Sequence, residues 1–382
     1  MLKNMNSFNY HSFATLFLSI LICVSCQTKK VDYGPDIYNE DTSFKVVGYL
    51  PAGDFDEIDQ LELDKLTYLN LAFANPDAEG NLIFRGNVDV KTIVEKGHAI
   101  ELKVLVSLAG GGNPDKKDWK RALKRTNRSD FIANIIKFVE ENNMDGVDVD
   151  IEWNLLPAIG KLYTPFVVEL KEALHAKGKT ITTALHAVNI HPGVTQESLE
   201  AYDFINIMVY DKTGPWKPDT IGAHSPYSYA EDAYAFWTQE KNIATSKLVL
   251  GIPFYGHNFN PPGSRKFASI VEEDISNAYV DQVDQLYYNG IPTIVKKTEL
   301  AKEKFGGVMF WQLAQDIHSD LSLLCAVDQT LKAGDCKVTM FFKDEDGDGY
   351  GDLSKPFQAC VVPDGYVTNS DDTNDNDAEI HP

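Results

Sequence analysis

The chain has 382 residues, enough to bury a full-sized core in one large domain with a smaller one beside it. Apolar residues make up 43% and aromatic residues 11%, which excludes a disordered chain. The formal net charge of -21 argues against a nucleic-acid partner, because phosphate binding needs a basic face.

In chain order, the first segment does not belong to the fold. Lys3 precedes an apolar run, FATLFLSILICV (13–24), that is too short to span a bilayer comfortably. The run ends in Val24-Ser25-Cys26, which resembles a bacterial lipoprotein signal. Residues 1–25 then read as the signal peptide, with lipid on Cys26. Cys23 fits less well, since Ile22 precedes it. The alternatives are an ordinary secretory signal or an uncleaved anchor. The expected destination is outside the cytoplasm, on the outer membrane or surface of a Gram-negative bacterium. Residues 26–43, polar with Gly34 and Pro35, read as a tether. Three cysteines remain, of which Cys325 and Cys336 are close enough in sequence to pair in an oxidising compartment.

From 44 to 335 one idea repeats. Short runs rich in Val, Ile and Phe recur at 45–50, 66–74, 102–110, 146–153, 180–188, 204–211, 247–255 and 307–316. Helical patterns separate most of them. In 165–176, Phe166, Val167, Leu170 and Leu174 share a face, Pro165 suits a first turn and Gly178 a stop. Phe131, Ile132, Ile135, Ile136 and Val139 form a similar stripe, and 292–305 reads as a further helix. Strands alternating with helices predict an α/β fold with a parallel sheet. Eight units predict a closed (β/α)8 TIM barrel, the alternative being an open, doubly wound sheet. Barrel chemistry sits at the C-terminal ends of the strands. Tyr49, Phe73, Ser107, Glu152, Tyr210, Tyr255 and Trp311 all fall late in their runs.

The fourth run, DGVDVDIEW (145–153), alternates acids with branched apolar residues. Residues two apart on a strand face one side, so Asp148, Asp150 and Glu152 form a column. Val147, Val149 and Ile151 need burial on the other side, which argues against a solvated edge strand. Three stacked carboxyls cannot all ionise, so a proton is held among them. An acid kept protonated near neutral pH suits cleavage of a glycosidic bond, where a leaving oxygen must be protonated. A metal site on this strand is disfavoured, since no liganding loop or nearby histidine accompanies it.

DGVDVDIE resembles the DxxDxDxE signature of glycoside hydrolase family 18, which includes chitinases and endo-β-N-acetylglucosaminidases. SLAGG (107–111) resembles its SxGG, MVYD (208–211) its MxYD, and Trp311 in VMFWQ the tryptophan of its eighth strand. The resemblance covers 44–335. It implies retaining, substrate-assisted hydrolysis, in which the acetamido oxygen of the substrate attacks the anomeric carbon and gives an oxazolinium ion. Glu152 would be general acid and then base. Asp150 would orient the acetamido group, Asp148 would share its proton, and Tyr210 would donate to the acetamide oxygen. Trp311 would floor the sugar, with Met208, Asp211, Tyr255, Tyr49, Phe73 and Trp216 as further substrate contacts. No cofactor is implied for catalysis. Asp145 reads as structural. Only about 50 residues (256–306) separate strands seven and eight, too few for the full α+β insertion of many processive members, so a shallow, internally cutting cleft is expected.

The tail (337–382) uses acids differently. In FFKDEDGDGYGD (341–352), Asp344, Asp346 and Asp348 alternate before Gly349, with Asp352 beyond. The start resembles an EF-hand loop, but its twelfth position is Lys355 and no helix pattern flanks it. The whole resembles the aspartate-rich calcium repeats of thrombospondin type 3 kind, with Ser370 where a partner for Cys360 often stands. Ca2+ is the expected ligand of Asp344, Asp346, Asp348 and Asp352; a disordered acidic tail is the alternative. Eleven acids against three lysines after Cys336 give the tail -8 of the -21.

The expected function is endo-acting hydrolysis of β-1,4-linked N-acetylglucosamine, in chitin or chito-oligosaccharides, by a lipid-anchored monomer. The alternatives are an endo-β-N-acetylglucosaminidase acting on N-glycan cores and a non-catalytic carbohydrate-binding lipoprotein. The presence of Glu152 weighs against the last, because lectin-like relatives lose that acid.

Overall fold

Eight parallel strands close on themselves in the computed structural model, which describes residues 31–86, 89–112, 114–333, 339–359, 362–363 and 365–380. They are β1 (Lys45–Pro51), β2 (Tyr68–Pro76), β3 (Lys103–Ala109), β4 (Gly146–Asp150), β5 (Thr180–His186), β6 (Phe204–Met208), β7 (Leu248–Pro253) and β8 (Gly307–Trp311). Each pairs with the next, and β8 pairs back to β1 in the register Lys45–Gly307 to Gly48–Phe310. All eight apolar runs are staves of the (β/α)8 TIM barrel, and closure leaves no edge for an open sheet.

Alternation along each stave makes two cores. Val46, Leu69, Val104, Val147, Ile181, Ile205, Leu250 and Val308 pack outward under the helices. Val47, Tyr68, Leu105, Ala184, Phe204, Val249 and Met309 fill the interior. The helices Arg128–Glu141 and Tyr163–His175 bury the faces their periodicity predicted. Pro165 lies in the first turn of the second, and Gly178 stands just past its end at φ +66°.

Acids sit at the staves' entrances. Asp145, just before β4, accepts from the Val104 N–H at 2.8 Å and bonds His98 Nε2 at 2.8 Å. Asp203, just before β6, accepts from the Ile181 N–H at 2.8 Å and bonds His175 Nε2 at 3.0 Å.

The segment read as a tether meets the barrel early. Ile37 N–H donates to the His175 carbonyl, and Tyr38 stacks on the His175 ring. Asp41 accepts from Tyr68 and Lys103, which open β2 and β3, so the strap lies under the barrel's N-terminal face. The signal and Cys26 lie outside the described residues, as do Cys336 and Cys360. Cys325 carries a free thiol, its Sγ turned to the Glu62 carboxylate at 3.5 Å.

Between β7 and β8 the chain builds more than its length led us to expect. Strands Tyr255–Phe259, Pro262–Lys266, Gln282–Val283 and Leu286–Tyr287 form a four-stranded antiparallel sheet, with helices Phe267–Glu273 and Ile291–Lys304. A hairpin at Asn260-Pro261 takes only two residues to turn, so the sheet fits the short segment. The tail adds a three-stranded antiparallel sheet from Thr339–Lys343, Asp352–Ala359 and Tyr366–Val367. Among the described residues no helix is long and apolar enough to cross a membrane.

Candidate active site

The column on β4 rises from the barrel interior to its mouth. Asp148, deepest and fully buried, accepts from Ser107 Oγ at 2.7 Å and Tyr49 OH at 2.8 Å through Oδ2. Its Oδ1 accepts from Thr182 Oγ1 at 2.6 Å and more distantly from Asn206 Nδ2 at 3.4 Å. Burial raises its pKa, and these donors pull it back. Asp150 sits one step up, 3% exposed, and its Oδ1 has no hydrogen-bond partner. Burial, then the charges of Glu152 and Asp148, push its pKa well up. The column's proton therefore belongs on Asp150, while Asp148 has the donors to carry charge.

Glu152 stands just past the end of β4, half-buried. Burial, then the charge of Asp211, raises its pKa to about 7. Close approach of the loop after β3 makes its room: a Cβ on Gly111 would lie 2.5 Å from Glu152 Oε1. Asn154 pins that turn, donating from Nδ2 to the Gly110 and Gly112 carbonyls at 3.2 and 2.5 Å. This arrangement can hold a proton at neutral pH and deliver it at the barrel's open end.

Aromatic rings frame the mouth. Trp311 and Phe73 stack with centroids 5.5 Å apart and planes 16° from parallel, and Trp311 tilts against Tyr49 at 5.7 Å. Tyr210 is buried, edge-on to Tyr255 at 6.1 Å. Tyr255 donates to Asp211 Oδ1 at 2.6 Å, and Trp216, 53% exposed, meets the ring of His257 edge-on at 4.8 Å. Met208 joins Glu152, Trp153, His186 and His191 around an adjoining hollow. One reading needs correction: Tyr49, expected to touch substrate, is 1% exposed and spends its hydroxyl on Asp148. It lies beneath the site because it is an inward residue one layer deeper than the strand end.

Sequence reasoning missed several residues. Thr182, Asn206 and Asn154 carry no motif, and only pairing across staves brings them to the column. Exposed Trp153, edge-on to His191 at 5.4 Å, was legible as the letter after Glu152. His224 and His257 come from a loop and from the inserted sheet, and both reach Asp211.

In the tail, Asp344, Asp346 and Asp348 bring carboxylate oxygens together, and Asp346, Asp372 and Asp375 do the same. Asp352 belongs to neither group: Ser354 N–H occupies its Oδ1, and its Oδ2 faces Lys355. Lys355 also takes Asp375 Oδ2 at 2.8 Å and Glu345 Oε2 at 3.0 Å. Within the two groups, Asp346, Asp348 and Asp372 each keep a buried Oδ2 without a partner.

Comparison with known proteins agrees with the geometry. Residues 45–316 match the model of the glycosyl hydrolases family 18. A solved chitinase of Flavobacterium johnsoniae is 41% identical, with a TM-score of 0.72 over 76% of this chain and 94% of that one. A Bacteroides thetaiotaomicron chitinase is 28% identical, with a TM-score of 0.68 over 75% and 96%. The endochitinase of Manduca sexta is 27% identical over 239 residues, 53% of this chain and 42% of that one. The chain spans 42% of that endochitinase, and 9% and 31% of two further curated relatives, a Drosophila melanogaster protein called probable chitinase 10 and a Mus musculus oviduct-specific glycoprotein. The match runs through every barrel stave and the acidic column alike, and the chain belongs to glycosyl hydrolases family 18, as a glycosidase.

Proposed function

We propose that the protein hydrolyses internal β-1,4 bonds of chitin or chito-oligosaccharides with retention, using the substrate's own acetamido group as nucleophile. The observation that carries this is the Asp150–Glu152 pair: a proton-holding carboxyl with a free Oδ1, beside an acid poised near neutrality at the mouth. Glu152 protonates the leaving oxygen and then, as carboxylate, activates water. Asp150 holds the acetamido group against the anomeric carbon, with Asp148 steadying it from below. The Tyr210 hydroxyl donates to the acetamide oxygen as charge develops there. Trp311 supplies an apolar floor, and Phe73, Met208, Asp211, Tyr255 and Trp216 line the cleft around it. The short segment between β7 and β8, about 50 residues, supports a cleft that a chain enters sideways, and the chitinase likeness at 41% identity supports the substrate class.

Incubation with chitin oligomers and with a high-mannose glycoprotein, followed by mass analysis, tests the substrate. Chito-oligosaccharide products of retained anomeric form are expected; release of N-glycans alone would move the activity to the glycan core. Glu152→Gln is expected to lower kcat at least about 1000-fold while oligosaccharide binding persists. Rapid cleavage of unacetylated cellulose-type chains would point to an enzyme nucleophile instead.

The tail fits Ca2+, since its unpartnered buried carboxylate oxygens are hard ligands of the kind that ion takes. Asp344, Asp346, Asp348, Asp372 and Asp375 would hold it. Export and lipid on Cys26 complete the proposal, supported by the apolar run and its Val-Ser-Cys end; the mass of the mature N-terminal peptide checks both.

A further inference from the structure

Beside the column, a second constellation gathers at the mouth, and proton transfer makes no use of two of its members. His224 and His257 are buried, and both direct a ring nitrogen at the exposed carboxylate of Asp211. His257 Nε2 lies 2.8 Å from Asp211 Oδ1, and His224 Nδ1 lies 3.5 Å from it. Each ring is anchored at its far side. His224 Nε2 is 3.2 Å from the Tyr255 carbonyl, which only accepts, so the proton sits on Nε2 and the Nδ1 lone pair is left to face Asp211. His257 Nδ1 is 2.9 Å from Ser264 Oγ, a group that accepts as readily as it donates. Histidines that bind metals are held in this way by a partner on the other nitrogen, which fixes tautomer and ring direction.

We propose that Asp211, His224 and His257 form a binding site for a divalent first-row transition metal ion, zinc foremost. Two imidazoles and one carboxylate are the donor set such ions favour over calcium or magnesium. The three ligand atoms lie within 4.8 Å of one another, and a tetrahedral zinc site sets its ligand atoms about 3.4 Å apart. On binding, His257 takes its other tautomer: the proton moves through solvent from Nε2 to Nδ1, which donates to Ser264 Oγ, and Nε2 offers its lone pair to the ion. The ion displaces the long 3.4 Å bond from the Asp211 N–H to His224 Nδ1. His224 Nδ1 already accepts here and does not donate, so it stands in the protonation state an ion requires. Water completes the shell on the open side of Asp211, with Trp216 fencing the other. A bound ion takes Asp211 out of the cleft, so zinc inhibits hydrolysis; that consequence rests on the proposed function, and the site itself does not.

Titration of the chelator-treated protein with Co2+, followed by visible absorption, tests the site without any turnover. An intense low-coordinate band at one equivalent, abolished by Zn2+, is expected. His257→Gln and His224→Gln should each weaken binding by roughly 10- to 100-fold or more, with melting temperatures recorded to show that both variants fold. Asp346→Asn, in the acidic tail, should leave the band unchanged. A wild-type protein without the band overturns the proposal whatever the variants do. So does a band that survives both histidine substitutions, which would leave only hydrogen bonding at Asp211. Loss of hydrolysis without any band, or a band without inhibition, separates failure of the site from failure of the functional reading.

Discussion

Glu152 shows how one side chain's surroundings set its chemistry. Removed from water and placed near the Asp211 carboxylate, it reaches about 7 instead of the ordinary glutamic acid range. A raised value means the proton is present below that point and lost above it. The rate constant kcat/KM is therefore expected to fall about tenfold per pH unit above neutrality, measured on a soluble chito-oligosaccharide. A limb near the unperturbed value would show that the mouth is wetter than its packing indicates. Gly111 sets the same acid's position from the outside. Gly111→Ala would drive a methyl into the Glu152 carboxylate, and a loss of activity of at least about tenfold with little change in melting temperature is expected. The three acids were legible because strand period and carboxylate chemistry point one way. The donors that hold Asp148 were not, since Thr182 and Asn206 sit in ordinary strand sequence and meet only across the barrel.

At the scale of elements, the staves are joined by the groups just before and at their starts. Asp145 and Asp203 each accept from the N–H of the second residue of a neighbouring strand and bond a histidine from a helix. Gly146 opens β4 so close to β5 that a Cβ would sit 2.1 Å from the Thr180 carbonyl oxygen. Gly146→Ala is expected to cost about 1–3 kcal/mol by chemical denaturation, through overpacking against backbone that cannot rotate aside. An unchanged midpoint would mean the two staves can slide apart. All eight strands could be read from branched apolar runs, which parallel sheets buried on both faces demand. The small sheet at 255–287 was not readable. Its strands are short, polar and partly exposed, so they lack the apolar alternation that marks a buried stave.

Over the whole molecule, charge is divided unevenly. The last 46 residues carry -8, and their carboxylates cluster with no comparable set of cations, Lys355 being the notable exception. Chelation with EGTA is expected to loosen this segment first, seen as faster proteolysis after residue 337, while the barrel's melting transition stays in place. Stabilisation of the segment by millimolar Ca2+ and not by Mg2+ would match a flexible, carboxylate-rich cage of the size Ca2+ takes. Equal protease sensitivity in both conditions would leave the acids as a solvated surface.

The strap formed by residues 36–41 has a geometric effect on any molecule lipidated at Cys26. Ten peptide steps from that cysteine to Asp36 allow a lead of at most about 35 Å. The lead fastens where β2 and β3 begin, whereas the acids stand where the staves end. A tether joined there pulls on the face opposite the acids, so its own attachment leaves the mouth of the barrel clear.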